Sequence, residues 1–153
     1  MKSERIFLIL AVCWMIIIFY MSSRNAEESS RDSLAAGTLI CEMLVPGFRE
    51  LPEEQKLEKV ESIHGYIRKG AHMTEYAVLG LLVFFSFSRW RRGERILKSW
   101  LWAVSYAATD EIHQYFVPGR GCSFLDVCID SAGALAGIFI AAALIKKRSD
   151  GVS

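Results

Sequence analysis

The chain has 153 residues, a length that suits one domain, but 52% of them are hydrophobic and only three are proline, which is not the composition of a soluble domain. A net charge of +1 does not point to nucleic acid, and no such partner is expected. The placement of the charges along the chain says more than their sum.

The first apolar run, RIFLILAVCWMIIIFYM at 5–21, approaches the roughly 20 residues a spanning helix needs. Lys2 and Arg5 precede it as they would in a secretory signal. MSSRNAEESS beyond it lacks a small-x-small cleavage pattern, so it reads as a retained anchor over 5–22. The segment 23–68 follows. Within it SLAAGTLICEMLV (33–45) and PEEQKLEKVESIHGYIRK (52–69) have helical patterns, separated by Pro46 and Gly47. Leu57, Val60 and Ile63 recur at helical spacing in the second. Two short amphipathic helices are expected to lie on the membrane surface here, the second running into the next span.

The runs AVLGLLVFFSF (77–87), Ile96 to Ala108, and SAGALAGIFIAAALI (131–145) are each too short alone. They reach spanning length by taking in polar residues at one end, giving spans over 69–88, 96–115 and 126–146. The predicted fold is all-α: a single domain over 1–153, built as a bundle of four transmembrane helices.

Three basic groups then share one side: Lys2 and Arg5; Arg89, Arg91, Arg92, Arg95 and Lys98; and Lys146, Lys147 and Arg148. The positive-inside rule makes that side cytoplasmic, with both termini inside a multi-pass protein of the cell membrane. The 24–67 segment, with nine acidic residues against five basic, lies outside. Of four cysteines, Cys13 and Cys128 read as small core residues, while Cys41 and Cys122 share the outer side, where a disulfide is open to them. No CxxC pair or zinc-type Cys/His spacing occurs; no metal or other cofactor is expected.

Depth follows from a helix rise of about 1.5 Å per residue across a hydrocarbon core about 30 Å thick. Counting outward from Arg89, Lys69 lies at roughly 30 Å, His72 at roughly 25 Å and Tyr76 at roughly 20 Å. From Lys98, Asp110 lies at about 18 Å and Gln114 at about 24 Å; from Lys146, Asp130 lies at about 24 Å and Asp126 at about 30 Å. Three helices thus place polar residues in one slab, the outer leaflet. Lys69, His72 and Tyr76 share a helix face, with Glu75 one turn from His72; Asp110 and Gln114, and Asp126 and Asp130, are i, i+4 pairs. Gly133-x-x-x-Gly137 continues the last face as a small-residue stripe that permits close helix approach.

Carboxylates at that depth cost from about 2.5 kcal/mol each upward when unpaired. They are expected to face inward and pair with Arg68, Lys69, His72 or Arg120, in the combinations Asp110–Lys69 and Asp126–Arg120. Pro118 and Gly119 in FVPGR break the helix and return Arg120 over its end. The expectation is a polar pocket that opens outward under a 116–125 lid and contains Arg68, Lys69, His72, Glu75, Tyr76, Asp110, Glu111, Gln114, Arg120, Asp126 and Asp130.

IRKGAHMTEYAVLGLL (67–82) followed by TDEIHQYFVPGRGCSFLDVCIDSAGALAG (109–137) resembles the VanZ-like membrane protein family: K-x-x-H, then DE-x-x-Q, then P-G-R, then D with small residues after it. FYMSSRNAEESS resembles the family's serine-rich segment after the first span. The chain departs at Asp130, where the family commonly has Asn. The resemblance implies a multi-pass membrane protein whose namesake is associated with low-level resistance to teicoplanin, a lipoglycopeptide acting on cell-wall precursors. It carries Lys69, His72, Asp110, Glu111, Gln114, Arg120 and Asp126 over by motif and brings no mechanism.

Three readings of the pocket stand open, and no catalytic residue is assigned. It binds a phosphate- or sugar-bearing amphiphile, a membrane lipid or lipid-linked cell-wall precursor, with Arg120 on the phosphate and Arg68 and Lys69 beside it. It is an enzyme site using His72 with Asp110 or Glu111, or a metal among His72, Glu75, Glu111, His113 and Asp126, although no HExxH-type motif occurs. Or it is a structural ion-pair network. A homo-oligomer is open, and a proton- or ion-coupled transporter of four spans would require one.

Overall fold

Helix dominates the computed structural model, which describes the backbone of residues 2–150 and the side chains of residues 2–145. The elements are α1 (Lys2–Ser22), α2 (Ala26–Leu44), a 3₁₀ turn (Phe48–Glu50), α3 (Glu53–Ser86), α4 (Arg92–Gln114) and α5 (Phe124–Asp150), with no strand among the described residues. The side chains of Lys146, Lys147 and Arg148, counted toward the inner face, lie outside that range. By length and composition two helices can cross a membrane, α1 and residues 124–145 of α5. The other long helices, α3 and α4, do not meet that measure, because their apolar runs share the helix with charges such as Lys69, Glu75, Asp110 and Glu111.

Polarity is arranged inside out. Ile6, Ile9, Ile16 and Tyr20 of α1 and Phe139 and Ile140 of α5 are more than half exposed, while Asp110, Glu111, Gln114 and Asp130 are buried. A domain in water hides the first group and solvates the second.

The most extensive helix contact joins α3 to α5, and glycine makes it. A Cβ on Gly133 would stand 2.2 Å from the Met73 carbonyl oxygen, one on Gly137 would stand 1.8 Å from that of Ala77, and one on Gly80 would stand 2.3 Å from that of Ala134. The two backbones therefore touch, as the small-residue stripe predicts. The pairs Met73–Gly133 and Ala77–Gly137 advance together along the chain, so the helices run parallel.

The first helix packs through a narrow face, Ala11, Ile18 and Ser22. Trp14 Nε1 donates to the Glu75 carbonyl at 2.8 Å, and the Tyr106 hydroxyl donates to the Met15 carbonyl at 2.6 Å. At its start Glu4 accepts from Ser88 Oγ (2.7 Å) and Arg89 Nε (2.9 Å), which brings the N-terminus and the α3–α4 turn to one end of the bundle. Arg95 is not a loop charge, as its neighbours suggest; it is 8% exposed. Its Nε donates to the Phe84 carbonyl at 2.6 Å, and its guanidinium lies over the Phe84 ring.

The segment between α1 and the next predicted span differs from expectation. Asn25 caps α2 by accepting from the Glu28 N–H at 2.9 Å, so this helix starts well before residue 33 and runs 19 residues. It is not a short helix on a surface. Ser33, Gly37 and Cys41 form its buried face, and Gly37 meets Val60 and Ile67 of α3. Beyond the 3₁₀ turn, Phe48 closes a cluster with Cys41 and Val60. The second amphipathic helix is continuous with the next predicted span: α3 is 34 residues long, about 51 Å at 1.5 Å per residue. All four cysteines are free thiols, with Cys41 buried and Cys122 exposed, so the disulfide is not formed. Cys13 and Cys128 face outward rather than into the core.

Gly137→Val should destabilise the bundle by about 3 kcal/mol, because the α3 carbonyl leaves no room for a side chain. Gly65→Ala, where an added Cβ meets nothing within 4 Å, should instead stabilise α3 by about 1 kcal/mol. Thermal unfolding of the detergent-solubilised protein reads both.

Candidate functional site

The α4 contribution is a triad across two helices. Asp110 is 2% exposed; its Oδ2 accepts from Ser22 Oγ at 2.8 Å and from Gln114 Nε2 at 3.1 Å. Gln114 also reaches Ser22 Oγ at 3.4 Å. The i, i+4 spacing sets the Asp110–Gln114 half. The Ser22 half exists because α1 ends beside α4. His113 lies on another side of α4, its ring 4.3 Å from that of Phe19.

The α3 and α5 contribution follows from their parallel glycine contact, which carries the first turns of α5 alongside the middle of α3. Lys69 Nζ lies 3.5 Å from Asp126 Oδ1. This corrects the expected pairing: Lys69 takes Asp126 rather than Asp110, and no ion pair joins Arg120 to Asp126. The reason is direction. Because α3 and α5 run parallel and in register, Lys69 meets Asp126 in the first turn of α5, whereas Asp110 on antiparallel α4 sits at the end of α1. One turn inward from Lys69, His72 Nδ1 lies 3.7 Å from Glu75 Oε2. Deeper still, Tyr76 is 0% exposed and Asp130 is 1% exposed.

The α4–α5 connection closes over these groups. Its far end is tied by the Ser123 N–H, which donates to Glu111 Oε2 at 2.8 Å. Its middle is tied to the start of α2, where the Ala26 N–H donates to the Pro118 carbonyl at 3.2 Å. Gly119 has φ of 75°, and a Cβ there would stand 2.9 Å from the Ala26 methyl. Both facts call for glycine. The turn delivers Arg120 as a partly buried cation whose Nε has no hydrogen-bond partner. Burial, then the nearby Arg68 charge, lower its pKa, against the pull of Asp110, Glu111 and Glu75; an arginine stays charged regardless.

The structure therefore gathers Arg68, Lys69, His72, Glu75, Tyr76, Asp110, Glu111, Gln114, Arg120, Asp126 and Asp130 into one layer. Within it His72 Nδ1, Glu75 Oε2, Tyr76 Oη, Asp110 Oδ1, Arg120 Nε, Asp126 Oδ1 and Asp130 Oδ1 are buried and make no hydrogen bond within the protein. Buried polar atoms are nearly always satisfied by protein or water, so their concentration here makes this layer the candidate site. Glu75 opens onto a cavity of about 190 Å³ shared with Met21, Arg24, Ser29, Asp32 and Ser33, room for roughly six waters. A larger groove of about 540 Å³ runs between α1 and α4 past Met15, Leu101, Trp102 and Tyr106. Its lining is nearly all apolar, so it can accept hydrocarbon but offers no chemistry. No group of three or more His, Cys, Asp or Glu side chains among the described residues is placed to hold a metal ion.

Sequence reasoning missed Ser22, the Ser123 N–H and the wall made by α2. Ser22 lies in the serine-rich stretch after the first span and at helical spacing from Ala11 and Ile18, which was a readable signal. The α2 wall had none, because its first turns reach the polar layer only by pairing antiparallel with α3.

No curated protein and no solved structure matches the chain significantly. The model of the VanZ/LLP1 family matches residues 7–146, a stretch that contains every residue of this layer. The chain belongs to the VanZ/LLP1 family.

Proposed function

We propose that this protein is a four-span membrane protein that holds the headgroup of an amphiphilic cell-envelope lipid, or lipid-linked precursor, in an outer-leaflet polar pocket. The observation that carries the reading is the set of buried, unpartnered polar atoms in one layer beneath the Arg120 turn. Such atoms each cost about 1–3 kcal/mol if nothing meets them, more than a purely architectural network would retain. The apolar exterior of α1 and α5 supports a lipid surround. Basic residues at 2–5 and 89–98 stand at one end of the bundle, and the polar layer stands toward the other, which supports cytoplasmic termini. The α1–α4 groove suits an acyl chain. An effect on susceptibility to a lipid-tailed glycopeptide such as teicoplanin, acting at that same outer surface, is the physiological consequence attached to this reading.

Some of the layer is architecture. The Ser22–Asp110–Gln114 triad joins α1 to α4, and Asp110 Oδ2 is satisfied there by the protein itself. Ser22→Ala should lower stability by about 1–2 kcal/mol, the cost of one hydrogen bond to a buried carboxylate, read from thermal unfolding in detergent.

Lipid mass spectrometry of the purified protein tests the pocket. An amphiphile enriched over the bulk membrane should co-purify with the unaltered chain and fall about tenfold in Asp130→Asn, at equal abundance of folded protein. Equal lipid content in both would reduce the layer to a structural network. Topology is tested in intact cells in a Cys122→Ser background: Glu58→Cys should react with an impermeant thiol reagent and Gly93→Cys should not. The reverse labelling would place the pocket on the inner side.

A further inference from the structure

Nearly all apolar along its length, the groove between α1 and α4 ends at a charge. Lys98, Leu101, Trp102, Ser105, Tyr106 and Thr109 line it from α4, and their three- and four-residue spacing makes them one face of that helix. Lys98 and Thr109 are its limits on α4, about 16 Å apart at 1.5 Å per residue. That is the depth of one leaflet in a hydrocarbon core about 30 Å thick. A groove of this length matches an acyl chain that starts at one membrane surface and ends near the midplane.

Charge decides which end holds the headgroup. Thr109 offers none, and its hydroxyl already donates to the Tyr106 carbonyl at 2.7 Å. At the other end Phe87 belongs both to the groove and to a polar cavity of about 280 Å³, which Glu4, Arg5, Ser86, Arg89 and Trp90 also line. Lys98 joins the two spaces as well, because its Nζ lies over the Trp90 ring. The cations here are Arg5, Arg89 and Lys98, against the one carboxylate of Glu4. Glu4 accepts from Ser88 Oγ and Arg89 Nε. Arg5 and Lys98 form no ion pair among the described residues, although Glu94 lies one turn from Lys98. This end therefore carries surplus positive charge, which attracts anionic headgroups. A choline headgroup would add a further cation beside it.

We propose that the α1–α4 groove is a second lipid site, for an anionic phospholipid of the leaflet at the basic end of the bundle. One acyl chain lies along α4, and the phosphate sits between Lys98 and Arg5. The site shares no residue with the outer polar layer and does not rest on that layer's reading. Its lipid fills the space between α1 and α4 where Tyr106 and Ser22 do not already bridge them.

The test uses the full-length chain, delipidated in detergent and offered equal amounts of phosphatidylglycerol and phosphatidylcholine with the same chains. Native mass spectrometry reads the lipid retained. Both lipids carry a phosphate diester, but only phosphatidylglycerol is net anionic, so the unaltered protein suffices for the main comparison. Phosphatidylglycerol should be retained at least about tenfold over phosphatidylcholine, and the double variant Arg5→Gln/Lys98→Gln should lose that preference. Ser105→Phe leaves every charge in place and fills the groove from an exposed position; it should lower phosphatidylglycerol retention about tenfold. Equal retention of the two lipids overturns the proposal. So does a preference that survives Ser105→Phe, which means binding by charge with no chain in the groove. A preference abolished by Arg120→Gln and not by the double variant belongs to the outer pocket and overturns the second site. Retention of no lipid, with a dimer that Ser105→Phe converts to a monomer, makes the groove an interface between copies and overturns the lipid assignment.

Discussion

Gly133 and Gly137 of α5 rest on the carbonyls of Met73 and Ala77, so α3 and α5 meet backbone to backbone, and this contact sets the position of almost everything polar. At ordinary interhelical spacing of 8–10 Å, Asp126 and Asp130 would face a gap filled by side chains. In contact, they stand beside Lys69 and Tyr76. Because the helices are parallel, the register that seats each glycine also pairs Lys69 with Asp126. The remaining helices are tied on through side chains: Trp14 holds α1 to α3 and Arg95 holds α4 to α3, while Tyr106 and the Ser22–Asp110 bond join α4 to α1.

The charge inside this bundle is held by unequal means. Asp110 keeps one oxygen satisfied by Ser22 and Gln114, and Glu111 is satisfied by a main-chain N–H. Neutral donors of this kind position a carboxylate without cancelling its charge. Within the layer, among the described residues, Lys69 is the cation that pairs directly with an aspartate. The interior is left rich in acceptors, with Arg120 as a cation held at its edge by a turn that only glycine allows. A fold that needed charge solely for cohesion would pair it, since unpaired burial is the costlier arrangement.

The α2–α3 hairpin changes what the segment after α1 is. A sequence with amphipathic patterning was read as two surface helices, yet α2 buries Ser33, Gly37 and Cys41 along α3. Its N-terminal turns then face Glu75 across a small cavity. The link from Ala26 to Pro118 ties this hairpin to the α4–α5 turn, so the cover over the polar layer has two parts that are not adjacent in the chain.

By itself the sequence determined the helices, their order and the glycine stripe. All of these follow from periodicity and rise within one helix, which need no partner. The membership of the layer was legible for the same reason, down to Glu111 and Asp130. Tertiary structure alone decided who pairs with whom. Lys69 goes to Asp126, Asp110 goes to Ser22, Cys13 and Cys128 face outward, and Cys41 and Cys122 stay apart. Pairing depends on which helices are parallel, how they are rotated and how closely they approach. Those are set by contacts between segments up to 92 residues apart, as for Ser22 and Gln114, where local pattern carries no information.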